Sequence, residues 1–157
     1  MGARVEVRPA RGEDLREVSR LAAKLVEQHR SYDPRRFVLP EPVEDGYFGF
    51  LTTEIGEPEA VVLVAIAEGE IVGYLYGRME PPSFVELRGK AGWVHDLYVL
   101  ERGRGTGGEL LDAGVESLKQ RGARSVMLSV SPLNDAGRHL FRSRGFENTM
   151  LEMTRQL

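Results

Sequence analysis

The spacing of apolar residues along the first third of the chain predicts one strand and two helices. Apolar residues alternate with charged ones over 5–9, which predicts a short strand that Pro9 ends. Over 15–26 they recur at every third or fourth position, so we expect a helix with one apolar face. This helix is expected to end near residue 30. A shorter helix is predicted from Val43 or Glu44 to about Ile55.

The middle of the chain carries the signature of a β-hairpin. Two apolar runs, 60–67 and 71–79, are rich in valine, isoleucine and tyrosine and are separated by a break centred on Gly69. Gly73 and Gly77 interrupt the second run. Glycine inside a strand typically marks a bulge or a close approach of two backbones, and we expect one or both here.

Strands and helices alternate in the second half. The pattern predicts a strand over 92–99, a helix over 109–120, a short buried strand over 126–130, a helix over 134–144, and a final strand from 148 or 149 to 155. The whole order is β-α-α-β-β-β-α-β-α-β. Such an order predicts an α/β (α+β) fold in which helices flank one mixed, twisted sheet. The 157 residues show no repeat or linker, so we expect a single domain over 1–157.

Composition narrows the classes of protein. A formal charge of −3 and an isoelectric point near 5.7 argue against a nucleic-acid partner, which requires a basic face. The absence of cysteine excludes disulfides, thiolate metal sites and cysteine nucleophiles. The first residues lack the apolar run of a signal peptide, and no window approaches 18 apolar residues. We therefore expect a soluble, cytoplasmic protein without a membrane partner.

The most informative stretch is 94–111, where a strand leads through a glycine-rich turn into a helix. The four glycines are Gly103, Gly105, Gly107 and Gly108. Glycines let backbone amides approach a ligand closely, and the first N–H groups of a helix are unpaired and partly positive. Arg102 and Arg104 add fixed cations. This combination predicts a cradle for a phosphate or pyrophosphate, although glycine turns and solvated arginines also occur without a ligand.

Two familiar anion-binding loops fit this stretch poorly. A Walker loop needs a Gly-Lys-Ser or Gly-Lys-Thr ending, which is absent. The dinucleotide pattern G-x-G-x-x-G is formally present at Gly103, Gly105 and Gly108. However, roughly 50 residues follow it, too few for the rest of a doubly wound domain.

A third loop fits better. The run Arg102-Gly103-Arg104-Gly105-Thr106-Gly107 matches the R-x-x-G-x-G pyrophosphate loop of the GNAT N-acetyltransferase superfamily. Leu97-Tyr98-Val99 resembles the strand before that loop, and Asn134, Phe141 and the pair Gly145-Phe146 fall in the register of a second family motif. The resemblance implies a mostly antiparallel, twisted sheet with one splayed parallel strand pair, flanked by about four helices.

The resemblance also implies acetyl-CoA as co-substrate, no metal, and a possible homodimer. In the family, the pantetheine arm pairs with the exposed edge of the strand before the loop, and the loop holds the pyrophosphate. The expected cofactor-binding residues are Leu97, Tyr98, Val99, Arg102, Gly103, Arg104, Gly105, Thr106, Gly107, Gly108, Asn134 and Phe141.

The implied reaction is direct attack of a primary amine on the thioester in a ternary complex. An alkyl amine has a pKa of about 10.4, so it must lose a proton before it attacks. Asp96 is the preferred proton acceptor because a carboxylate within an apolar strand requires a partner or a function, but a structural hydrogen bond explains it equally well. His95 is expected on the opposite sheet face unless a bulge intervenes.

One departure from the family pattern concerns the acid that protonates the leaving thiolate. Many members have a tyrosine where this chain has Phe141, and a phenyl ring cannot donate a proton. Tyr98, Ser131 or water remain as candidates. The same departure leaves open a non-catalytic module that senses acetyl-CoA or CoA.

The acceptor side is expected between the first two helices. The segment 32–43 carries three prolines, and aromatic residues there and in the second helix stand beside several acidic ones. Tyr32, Phe37 and Tyr47 are the predicted pocket residues, although packing onto the sheet also explains them. This composition favours a small cationic amine over a protein N-terminus or lysine.

Overall fold

The chain folds around a five-stranded sheet in a computed structural model, which describes residues 4–157. The strands are β1 Glu6–Pro9, β2 Ala60–Ala67, β3 Glu70–Glu80, β4 Ala91–Val99 and β5 Val126–Leu128. They lie side by side in chain order. The first three pairs are antiparallel and the last pair, β4 with β5, is parallel. The predicted mixed, mostly antiparallel sheet is therefore confirmed.

Four α-helices cover the two faces of the sheet. They are α1 Leu15–Tyr32, α2 Val43–Glu54, α3 Thr106–Gln120 and α4 Asp135–Ser143. A short 3₁₀ turn, Gly12–Asp14, leads into α1. All four helices were predicted, and the spacing of apolar residues was clearest in α1 and α3, each of which buries one apolar stripe.

Strand alternation divides the interior into two cores. Tyr74 of β3 is buried under α1 and α2, whereas the next residue, Leu75, is buried under α3. On the first face Leu21 and Leu51 pack against the sheet, and on the second face Leu110 does so. Helices therefore cover both faces of β2 and β3, which explains why the sequences of these strands are nearly continuous apolar runs.

The hairpin between β2 and β3 is confirmed, together with its bulges. Its turn residues Glu68 and Gly69 both have positive φ, as tight hairpin turns require. The register with β4 shifts between Tyr76 and Gly77, which leaves His95 as an extra residue in β4. A Cβ atom on Gly77 would lie 2.7 Å from the Trp93 carbonyl oxygen, so the backbones approach here as predicted.

β5 is shorter than predicted. It spans 126–128 rather than 126–130, and it is half-buried rather than buried. It pairs with β4 only over Gly92–Val94, while β4 continues to Val99 paired with β3 alone. The two parallel strands thus separate at the point where β4 approaches the glycine-rich turn, which matches the expected splayed pair.

The predicted final strand is wrong. Residues 147–157 have no regular secondary structure, and all of them are exposed. A strand needs backbone partners, and no strand among residues 4–157 pairs with this segment. Among the same residues, no helix is both long and apolar enough to cross a membrane.

Candidate active site

The glycine-rich turn has the geometry of an anion cradle. β4 ends at Val99, and α3 begins at Thr106 after a turn in which Gly103 and Gly105 each have φ of +81°. Side chains with a Cβ atom rarely adopt this left-handed conformation, so the glycines are required by the backbone path. The first amides of α3 have no carbonyl partner within their own helix and carry its partial positive charge.

Three arginines surround this turn. Arg104 pairs with Glu101 at 2.6 Å in an exposed salt bridge, and Arg102 Nη2 lies 3.5 Å from the Tyr32 hydroxyl. The guanidinium of Arg144 occupies the space beside Gly108, where a side chain would collide with it. Sequence reasoning missed Arg144, because only the packing of α4 against α3 brings it to the cradle.

The remaining predicted cofactor residues are held by local contacts. Thr106 is buried at the start of α3, and Gly107 packs against Leu140 and Val99. Asn134 caps α4, with Oδ1 accepting from the Gly137 amide at 3.0 Å. Phe141 packs edge-on against Phe146, with ring centroids 6.1 Å apart.

A cavity of about 630 Å³ lies on the α1–α2 side of the sheet, between α2 with its preceding loop and strands β3 and β4. Its lining residues are Leu39, Pro40, Val43, Gly46, Tyr47, Phe50, Tyr76, Arg78, Glu80, His95 and Asp96. The walls are mostly apolar, and the charged groups converge from β3 and β4. This is the usual composition of a small-molecule site.

Asp96 contributes a half-buried carboxylate to the cavity. Its Oδ2 accepts a hydrogen bond from the Tyr74 hydroxyl at 2.9 Å. Desolvation raises the pKa of Asp96, and hydrogen bonds from Tyr74 and Tyr47 oppose that rise. Burial beside Asp96 raises the pKa of both tyrosines, so they remain protonated donors at neutral pH.

The bulge in β4 brings His95 into the same cavity as Asp96. By simple alternation the two side chains would lie on opposite faces, but the extra residue at the bulge resets the alternation. The His95 Nε2 lies 2.8 Å from Oε1 of Glu80. The ring stacks against Tyr76 and Trp93, each with a centroid separation of 5.7 Å.

Arg78, which lines the cavity, pairs with the buried carboxylate of Glu54. Glu54 Oε2 accepts from the Tyr76 hydroxyl at 2.5 Å and from Nη1 of Arg78 at 2.8 Å. Burial and the neighbouring Glu54 carboxylate raise the pKa of Tyr76. Nε of Arg78 also lies 3.8 Å from Oε1 of Glu80, so this guanidinium faces two carboxylates, and Asp96 adds a third acidic group to the cavity.

The structure brings together some predicted site residues and separates others. Tyr47 lines the cavity, whereas Tyr32 faces Arg102 and Phe37 packs on His29 with centroids 4.9 Å apart. Tyr98 packs on the α1–α2 face, the same face as the cavity. Ser131 lies outside the cavity lining, and its Oγ accepts from the Leu133 amide at 3.3 Å.

Glu80 was missed by sequence reasoning. It is the last residue of β3, directly before Pro81, where a solvated surface carboxylate is the ordinary expectation. Its position on β3, the strand beside β4, points to the cavity only when the pairing of β3 with β4 is known.

Comparison with known proteins identifies the family. The acetyltransferase (GNAT) family matches residues 20–146. An N-alpha-acetyltransferase from Sulfurisphaera tokodaii is 32% identical over 133 residues, covering 80% of this chain and 77% of that protein. A mutant of the BH1408 protein from Bacillus halodurans superposes with a TM-score of 0.84 at 23% identity, covering 97% of this chain and 99% of that one.

A second solved structure has the same fold. The aminoglycoside N-acetyltransferase AAC(6')-Iy, in complex with the bisubstrate analogue CoA-S-monomethyl-acetylneamine, superposes with a TM-score of 0.79 at 16% identity, covering 99% of each chain. At such identities the structural likeness establishes the fold alone, whereas the family match rests on most of the chain. The chain therefore belongs to the acetyltransferase (GNAT) family and is an acetyl-CoA-dependent N-acetyltransferase.

Proposed function

We propose that this enzyme acetylates the primary amine of a small cationic molecule by direct attack in a ternary complex. The observation that carries the proposal is the acidic character of the cavity, where the Glu80 and Asp96 carboxylates face mostly apolar walls while the Arg78 guanidinium pairs with the buried Glu54 carboxylate. A chamber of this kind attracts an ammonium group and packs against the carbon skeleton beside it. Tyr47 and Phe50 supply aromatic edges for the same cation.

The position of the cavity on β4 supports a ternary complex. Asp96 directly precedes Leu97, Tyr98 and Val99, whose backbone we propose to pair with the pantetheine arm. The arm would then enter where β4 and β5 separate, and its pyrophosphate would lie in the 102–108 cradle. An amine held near Asp96 would be close to the thioester without any rearrangement of the sheet.

For the proton of the amine, we propose Asp96 as the first acceptor. Its raised pKa makes it a better base at neutral pH than an ordinary carboxylate, and it lines the cavity. His95, held by Glu80, is the second candidate. For the leaving thiolate, Tyr98 is better placed than Ser131 because it shares the face that carries the cavity.

A second acceptor class follows from a specific comparison. The Sulfurisphaera relative is an N-alpha-acetyltransferase, which favours a protein or peptide N-terminus. The cavity is only moderately large, and its acidic groups lie inside rather than along an extended groove, so we favour the small cation. We also propose that the enzyme acts as a homodimer.

The decisive experiment is a comparison of acceptors under identical conditions. CoA release from acetyl-CoA is measured with polyamines, aminoglycosides and short peptides that have a free N-terminus. We expect kcat/KM to be highest for a polyamine or an aminoglycoside and to fall as salt screens the charges. A peptide preferred over every small amine would transfer the assignment to protein N-termini.

A further inference from the structure

The guanidinium of Arg144 lies against the first turn of α3. A Cβ atom on Gly108, the third residue of that helix, would be 2.3 Å from Nη2 of Arg144 and 3.1 Å from its Cζ. The cation therefore occupies the space that a side chain at position 108 would need. Because Gly108 is one of the glycines of the proposed cradle, the packing of α4 places a cation beside that cradle.

Two contacts orient this guanidinium and leave one of its nitrogens without a partner. Nε donates to Oδ1 of Asp112 at 3.2 Å, and Nη1 donates to Oγ of Ser143 at 3.2 Å. Nη2 is the nitrogen nearest to the Cβ position of Gly108, and it donates no hydrogen bond to any of residues 4–157. The donors of a guanidinium form a rigid fork, so the partners of Nε and Nη1 also fix the direction of Nη2. Nη2 thus presents its hydrogens to the first turn of α3.

The local electrostatics favour an anion next to Nη2. Side chains of a helix tilt toward its N-terminus, so the space beside Gly108 opens toward the turn that precedes α3. The unpaired amides of the first helical turn carry partial positive charge, and they repel a cation placed beside them. Asp112 offsets part of this repulsion, but its side chain is 61% exposed, so solvent screens its charge. A phosphate oxygen would accept hydrogen bonds from Nη2 and from the amides together.

Arg144 also connects α4 to α3. α4 has no buried residue, so its position depends on contacts near the surface. One of these contacts is apolar, since Cδ2 of Leu140 lies 3.4 Å from the Cβ position of Gly107, and another is the ion pair of Arg144 with Asp112. α4 begins directly after Asn134, one of the residues expected to bind the cofactor. A ligand held by Arg144 would therefore act on the position of α4.

We propose that Nη2 of Arg144 donates to the pyrophosphate of acetyl-CoA, and that this contact fixes α4 against α3 when the cofactor binds. Asp112 and Ser143 hold the guanidinium in the required orientation before binding, which reduces the entropy lost in the complex. Gly108 is needed because any side chain there would displace the guanidinium. The inference rests on the 102–108 cradle proposed above and adds to it a residue from a different helix.

Calorimetric titration of the enzyme with CoA tests the contact. We expect Arg144→Gln to raise Kd about tenfold, as loss of one charge-assisted hydrogen bond does. The matched control is Arg142→Gln, because Arg142 is exposed on the same helix and the substitution removes the same charge. Its Kd should stay within about twofold of the parent value, since salt screens a distant exposed charge. An effect of Arg144→Gln no larger than that of Arg142→Gln overturns the contact but not the cradle, which Arg104→Glu tests separately.

A double-variant cycle tests the role of Gly108. Gly108→Ala should raise the Kd of CoA by a factor similar to that of Arg144→Gln, because the added Cβ atom displaces the guanidinium. In the Arg144→Gln background the same substitution should have almost no further effect. Equal losses in both backgrounds would show that the Cβ atom obstructs the cofactor directly, and would overturn the role of Gly108 in positioning Arg144. Thermal unfolding checks that each variant is folded, as expected because alanine favours a helix over glycine.

Two further measurements locate the contact and its consequence. Dephospho-CoA lacks the 3′-phosphate but keeps the pyrophosphate, so Arg144→Gln should weaken CoA and dephospho-CoA by the same factor. A loss confined to CoA would assign Nη2 to the 3′-phosphate and overturn the pyrophosphate contact. Saturating CoA should slow amide hydrogen exchange across Asp135–Ser143 in the parent enzyme but not in Arg144→Gln. Exchange in α4 that CoA slows equally in both enzymes, or in neither, would overturn the coupling of α4 to the cofactor.

Discussion

The imidazole Nε2 of His95 lies 2.8 Å from Oε1 of Glu80, inside a cavity that also contains the carboxylate of Asp96. The two residues belong to neighbouring antiparallel strands, and only the bulge at His95 turns its ring toward Glu80. The pair adds an imidazole ring and a carboxylate to the cavity in which we propose that the amine binds. The proposed acceptor site can therefore be tested by single substitutions.

Removing the Glu80 charge should weaken acceptor binding. We expect Glu80→Gln to raise KM for a cationic amine about tenfold with a smaller change in kcat, because the glutamine keeps the shape but not the charge. Steady-state kinetics with a diamine measures the effect. Glu86→Gln, at an exposed glutamate outside the cavity lining, is the control and should behave as the parent enzyme.

Asp96 and His95 can be separated by their kinetic effects. We expect Asp96→Asn to lower kcat about 100-fold while acetyl-CoA affinity stays the same, as for removal of a general base. His95→Gln should cost tenfold or less. Single-turnover acetylation and calorimetric binding of CoA measure the two quantities. A larger loss for His95→Gln than for Asp96→Asn would transfer the proton-accepting role to the histidine.

The cradle should respond to reversal of one charge. Arg104→Glu would place a carboxylate beside the pyrophosphate, so we expect the dissociation constant of acetyl-CoA to rise at least tenfold. Arg20→Glu is a matched control, since Arg20 is similarly exposed and also pairs with a glutamate three residues earlier. Calorimetry on both variants decides the question. Equal affinities would remove Arg104 from the cofactor site.

Two helix glycines should respond in opposite directions to alanine. A Cβ atom on Gly114 would lie 2.6 Å from Cδ1 of the buried Leu75, so Gly114→Ala should lower the free energy of unfolding by about 1–3 kcal/mol. Gly49, also helical, has nothing within 4 Å, and Gly49→Ala should raise it by about 0.5–1 kcal/mol. Urea unfolding measures both. A stabilising Gly114→Ala would mean that α3 does not pack closely on β3.

The Arg8–Asp14 pair should make stability depend on pH. Arg8 Nη1 lies 2.7 Å from Oδ2 of Asp14, and this hydrogen bond lowers the pKa of the mostly buried Asp14 carboxyl. A lowered folded-state pKa contributes stability that is complete above the unfolded value of about 3.9 and is lost as the pH falls through the folded value.

Asp14→Asn should therefore lower the free energy of unfolding at pH 7 by about 1–2 kcal/mol. The deficit relative to the parent enzyme should shrink as the pH falls below about 4. Denaturant unfolding at several pH values measures the difference. A deficit that is constant from pH 7 to pH 3 would show that the charge of Asp14 is not responsible.

Local sequence determined much of this protein. The 3.6-residue periodicity specified α1 and α3 most directly, since a helix that packs on a sheet needs one apolar stripe. Glycines at 103 and 105 specified the turn that we propose as an anion cradle, because the backbone there takes a conformation that other residues avoid. The hairpin and the close backbone approach at Gly77 were also predicted, because glycines in the sequence mark both features.

Tertiary structure alone decided the cavity between α2, β3 and β4 and the boundaries of the sheet. Glu80 and Arg144 reach their sites through strand register and helix packing, which involve residues far apart in the chain. The bulge that joins His95 to Asp96 depends on which residues of β3 and β4 face each other. The alternation in 147–157 gave a strand-like pattern without a strand, because strand formation depends on a partner and not on the segment itself.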